Sequence, residues 1–225
     1  MGLKKGHTAK YKFVGAAIIL AVIVFTSCQA EPTDTITTTA KTYTGLPLVL
    51  FETNDFTGSG NCAICHTQLT DSAGNNISID SHWRSTIMAN ASKDLFWQAK
   101  VASEVVRNPG LKEVIEDKCA SCHMPMAYTQ AEVDGLSTLV LDEGFLNSNN
   151  ALNKAAMDGN SCTLCHQIID PVLGEYHIDT STEPPERLIY GQFEDPLQET
   201  MMQIVGFKPI AGEQISQSVL CGTCH

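Results

Sequence analysis

Four times along the chain a cysteine is followed three residues later by another, with histidine directly behind. The four are Cys62-Ala-Ile-Cys65-His66, Cys119-Ala-Ser-Cys122-His123, Cys162-Thr-Leu-Cys165-His166 and Cys221-Gly-Thr-Cys224-His225. In an exported chain eight such cysteines read first as a disulfide framework, and paired CxxC units read as zinc sites. The histidines decide otherwise. With 7 histidines in 225 residues, one behind every pair by chance has odds of about one in a million. CxxCH is the attachment pattern of c-type haem. Its two thiols add across the porphyrin's vinyl groups, and the next residue brings an imidazole nitrogen to the iron. The expected cofactor is haem c, at least four per chain, with Cys62, Cys65, Cys119, Cys122, Cys162, Cys165, Cys221 and Cys224 as thioether donors. His66, His123, His166 and His225 are the expected proximal ligands.

The second axial position of each iron separates a carrier from a catalyst, because an iron whose two axial positions are both filled by protein is closed to substrate. Four of the seven histidines belong to the motifs and His7 lies in the basic N-terminal stretch, which leaves His82 and His177. These two, with Met88 six residues beyond His82, are the distal candidates. Met157, Met201 and Met202 are further thioethers, while Met124 and Met126 sit too close to His123 to cross over its ring. A different use is open to His82, as proton donor above an open iron, with Arg84 stabilising an anionic substrate. Arg84 reads more simply as a partner for a haem propionate. Trp83, Trp97 and Tyr128 are expected to pack on porphyrin faces.

The four motifs, together with HWRSTIMANASKDLFW and the later EDKCASCHMPM, resemble the multihaem cytochrome c family, in the group of tetrahaem cytochromes and their octahaem relatives. The resemblance covers the chain from about Cys62 onward. It implies haem c, a bacterial envelope or exterior setting and electron transfer. Some members carry a CxxCK variant and reduce nitrite; no such variant occurs here.

The elements that must position these groups begin behind a leader. Lys4, Lys5, Lys10 and Lys12 precede an apolar run over 13–27, too short to span a bilayer, so 1–27 read as a signal peptide. Cys28 after Phe-Thr-Ser looks like a lipid-attachment site of lipoprotein type, with cleavage near Ala30 or a retained anchor as alternatives. Removing 1–27 leaves 10 basic against 25 acidic residues, a net of about −15, which disfavours nucleic acid as a partner. The Thr-rich stretch 28–45 reads as a tether, and 46–225 as the tetrahaem domain.

Aromatic residues make up 7% of the chain, little bulk for an ordinary core, so the haems themselves are expected to form the interior. The expected fold class is mainly α with long irregular loops and little β, a multihaem cytochrome c wrapped around four covalently attached haems. Ser92 or Asp94 caps a helix through Asn108; Asn108-Pro109 opens a second that delivers Cys119. A third helix is expected around 149–158, ending at Gly159, a fourth over 212–220, and a small hairpin near Ala73-Gly74-Asn75-Asn76.

The functional expectation is a lipid-anchored periplasmic or outer-membrane carrier, exchanging electrons with other redox proteins of a bacterial envelope. An oxidoreductase of nitrogen-oxide type with one five-coordinate haem, and a subunit of a larger cytochrome conduit or filament, are the alternatives. The chain stops on an iron ligand and is short of distal ligands. It is therefore expected to be the front part of a longer protein.

Overall fold

The computed structural model describes residues 49–224. The leader, Cys28, the tether and His225 lie outside the described residues. Contacts gather the described residues into one unit.

Among the described residues ten short α-helices and four strands follow one another. They are α1 (Ser59–His66), α2 (Ile79–Arg84), α3 (Ile87–Asn90), α4 (Leu95–Arg107), α5 (Lys112–His123), α6 (Pro125–Asp134), α7 (Asn153–Met157), α8 (Cys162–Cys165), β1 (Ile168–Val172), β2 (Glu175–Ile178), β3 (Leu188–Gly191), α9 (Gln198–Val205), β4 (Lys208–Ala211) and α10 (Val219–Gly222). Single 3₁₀ turns at Pro109–Leu111 and Glu213–Ser216 precede α5 and α10.

Local chemistry explains several boundaries. Asp94 accepts the Phe96 amide and starts α4, whose Trp97 and Val101, one turn apart, face the core. Pro125 ends α5 at His123, because a residue ahead of proline is pushed out of the right-handed helical region; Met124 takes φ −135°. The same proline opens α6, which Gly135 closes in the left-handed conformation. A bridge between Thr70 and Asn76 encloses the turn at Gly74.

The expectation of a mainly α chain wrapped around haems is corrected here. Helix covers 46% of the described residues and strand 12%, a mixed α/β arrangement of short elements. β1 and β2 form an antiparallel hairpin that turns at Gly174, and β3 and β4 pair in parallel across a crossover containing α9. The interior is also filled by the chain's own side chains. Phe56, Trp97, Val101, Met124, Met126, Val140, Phe145 and Leu164 pack with a set of alanines from α5, α6 and α7. Alanine and methionine supply close packing where aromatic bulk is scarce, since the one lets helices approach and the other fills irregular gaps. The expected third helix is shorter, at Asn153–Met157, and the fourth is split into the 3₁₀ turn and α10. Among the described residues no helix is long and apolar enough to cross a membrane.

Candidate functional site

Each CxxC pair is carried on a helix or runs off its end. Cys62, Cys65 and His66 close α1, and Cys119, Cys122 and His123 close α5. In a helix positions i, i+3 and i+4 share a face, so both thiols and the imidazole emerge on one side. Cys162 and Cys165 bracket α8, with His166 as its C-cap; Cys221 lies in α10, whose cap is Thr223. Among the described residues none of the eight cysteines is disulfide-bonded.

The imidazoles of two motifs are oriented by backbone. His123 Nδ1 lies 3.1 Å from the Ala91 carbonyl, and its ring stacks on Trp97 with centroids 4.3 Å apart and planes 8° apart. His166 Nδ1 lies 2.6 Å from the Tyr190 carbonyl, while the Tyr190 amide donates to His166 O at 2.7 Å. A carbonyl oxygen can only accept, so in both rings Nδ1 carries the proton and Nε2 of the neutral imidazole keeps its lone pair. Iron-ligating histidines are commonly held this way, one nitrogen on a backbone carbonyl and the other toward the metal.

The thiols of different motifs meet in pairs. Cys62 lies against Cys162 and Cys122 against Cys224. The neighbouring thiol and burial push Cys62 and Cys224 above the usual thiol range, and the neighbouring thiol pulls Cys162 and Cys122 below it. Burial pushes Cys165 up to about 12, with Cys162 and Cys221 close by. In space the motifs therefore run first, third, fourth, second. Asp158 ties the first motif to the third, its carboxylate accepting the Ser59 amide at 2.8 Å and the Ser59 hydroxyl at 2.7 Å at the start of α1. The hairpin ties the fourth to the second through Gly174 N to Gly222 O at 3.0 Å and Tyr176 Oη to Ser121 O at 3.1 Å. Among the described residues no three His, Cys, Asp or Glu side chains gather as a site for a single metal ion.

Alongside Cys122 opens a cleft of about 430 Å³, lined by Lys118, Tyr128, Tyr176, His177 and Thr223 among others. Of the two histidine candidates, His177 is thus brought beside the second motif and next to the fourth; its Nε2 also lies 3.4 Å from a Glu175 carboxylate oxygen. His82 is placed differently. Its helix α2 packs on α1, but its Nε2 donates to the Asn76 carbonyl at 3.1 Å. Arg84 is ion-paired with Asp80 one turn back. Met88 Sδ receives the Asn160 amide at 3.7 Å, and Trp83 Nε1 donates to Asn160 O at 3.0 Å. Met124 and Met126 are fully buried in the core.

Several features that hold the site were missed in reading the sequence: the Ala91 and Tyr190 carbonyls, the Trp97 stack on imidazole, and a buried pair of Asp55 and Arg187. A backbone carbonyl acceptor has no residue signature, so the first two left no trace in the sequence. The Arg-Leu-Ile-Tyr-Gly stretch at 187–191 does carry a strand signal, an apolar run ended by glycine.

No protein-family model, no curated protein and no solved structure matches the chain.

The residues fit the attachment of haem c. Paired thiols stand one helical turn apart, two motif imidazoles are oriented with Nε2 free, and a cleft lies beside Cys122 with a second imidazole on its wall.

Proposed function

We propose that this chain binds haem c at its four CxxCH motifs and serves as a multihaem electron carrier of a bacterial cell envelope, held there by lipid on Cys28. Bound haem c supplies a one-electron iron couple. The observation that carries the reading is the matched orientation of His123 and His166, each held through Nδ1 on a backbone carbonyl so that Nε2 is the free ligand atom.

The chain's own residues do the rest. The cysteines fix each attachment point, the carbonyls of Ala91 and Tyr190 set the imidazoles, and Trp97 screens one of them from water. Neighbouring attachment points are first with third, third with fourth and fourth with second. Electron exchange between neighbours therefore follows an order different from that along the chain. The acidic surface suits a basic redox partner as donor or acceptor. His82 and Arg84, the residues an open catalytic iron would need, are engaged with Asn76 and Asp80, which favours the carrier over the oxidoreductase.

Expression in a host that matures c-type cytochromes tests the reading. The pyridine haemochrome spectrum and intact mass are expected to report four thioether-bound haems per chain, and potentiometry several one-electron steps. A purified protein with free thiols and no covalent haem would exclude it.

A further inference from the structure

His166 is held from two sides, and both sides return to Asp55. On its own strand of chain the next residue, Gln167, sends its side-chain amide to the Asp55 carbonyl at 2.9 Å and to Thr163 O at 2.7 Å. Across from it, β3 holds the imidazole through Tyr190. That strand begins directly after Arg187, whose Nη1 meets Asp55 Oδ1 at 2.6 Å, both side chains about 2% exposed. Gln130 Oε1 accepts the Asp55 amide at 3.1 Å, and Lys208 of β4 donates its amide to the Arg187 carbonyl at 2.8 Å. The result is a closed circuit from Asp55 through Gln167, His166, Tyr190 and Arg187 back to Asp55.

A buried ion pair is a poor stabiliser, because removing two charges from water costs about as much as their attraction returns. This one is also incompletely satisfied: Arg187 Nε, Asp55 Oδ2 and Gln167 Oε1 make no hydrogen bond within the described residues. Apolar side chains would fill the space as well, but they would not fix the register of β3 against the segment before α1. A single directional contact at the head of a four-residue strand does so, and the Tyr190 carbonyl lies three residues further on.

We propose that Asp55 and Arg187 are positioning residues for His166, setting the strand carbonyl that orients its imidazole. This rests on the reading of His166 as an iron ligand. The haem-loaded double variant Asp55→Leu/Arg187→Met tests it, since removing both charges together leaves none unpaired. It is expected to carry four haems and to unfold near the wild-type midpoint. One of its four haem signals, the one altered in His166→Met, shifts in low-temperature EPR and in midpoint potential. Arg187→Lys keeps the charge and shifts the same signal less. Four signals at their wild-type positions, all four moving together, or a larger shift in the lysine variant would each overturn the proposal. Haem is counted before any potential is read: a wild-type chain without covalent haem removes the parent reading and this one with it, whereas four haems with unmoved signals remove only this one.

Discussion

The second and third motifs present the same five-residue pattern and the same orientation of imidazole, yet different structures hold them. His123 ends a three-turn helix, its Nδ1 on a carbonyl from the Ala91 turn and its face against Trp97, inside the helical packing of α4, α5 and α6. His166 ends a single turn of helix and is held by a strand that comes from more than twenty residues further on. The helical support is mostly apolar area, which is non-directional and tolerant. The strand support is directional and depends on one buried charge pair. A short motif thus specifies its own internal geometry and leaves its setting to whatever the fold supplies.

Removing Arg187 alone strikes the strand side hardest. Arg187→Met leaves the Asp55 carboxylate buried without a partner and is expected to cost about 3–5 kcal/mol in urea unfolding at neutral pH. Burial already holds the Asp55 carboxyl above its ordinary value, with Arg187 opposing. Without the guanidinium it rises further. A carboxyl whose folded value is raised contributes stability below its unfolded value and loses it as pH climbs through the folded one. The variant's deficit should therefore grow from acid to neutral pH; a deficit independent of pH would show that Asp55 is not the group left exposed to the change.

On the helical side Trp97→Ala is expected to cost about 3–4 kcal/mol, from lost burial and the cavity left, with little pH dependence over the same range. If both variants showed the same pH profile, the contrast between an apolar and an electrostatic support would be broken.

Gly159→Ala touches both sides at once. Gly159 has φ +68°, and an added Cβ would stand 2.8 Å from the Met88 carbonyl and 3.0 Å from that of Ala89. Those residues lead to the Ala91 carbonyl that holds His123, and the Asn160 amide bonds Met88 O at 3.0 Å. The expected loss is about 1–3 kcal/mol, with the signals of both the second and third haems disturbed in EPR. A change confined to one would separate the two regions more sharply than drawn here.

Lys100→Met removes a surface pair with Glu104 on α4. No measurable change in unfolding midpoint or haem signals is expected, because exposed pairs are screened and mobile.

Much of the helical region could be read from the residues. Asp94 marked the start of α4 and Asn108-Pro109 marked the approach to α5. The start of α6 was equally marked by Pro125 and its end by Gly135, signals overlooked beside the cysteines. The strand region was not legible in the same way. β3 and β4 are four residues each and pair only with one another across α9, and so short a run says nothing of its partner. The scarcity of aromatics misled in a different way. A core of alanines, methionines and a few large side chains closes well when helices approach closely, and composition does not report how closely they do.

Among the candidate ligands, sequence counting singled out His82, His177 and Met88 but could not choose between the two histidines. The fold places His177 on the wall of the cleft beside Cys122 and commits the Nε2 of His82 to a carbonyl.

By itself the sequence determined the chemistry within each motif, because thiol, thiol and imidazole at i, i+3 and i+4 are a local matter of covalent spacing. It also determined the helices whose caps and prolines act on neighbours in the chain. Only the tertiary structure decided which motifs lie side by side, which carbonyls fix His123 and His166 and which charges are buried. Those are contacts between residues as far apart as Asp55 and Arg187, and their energies exist only once the chain has brought them out of water together.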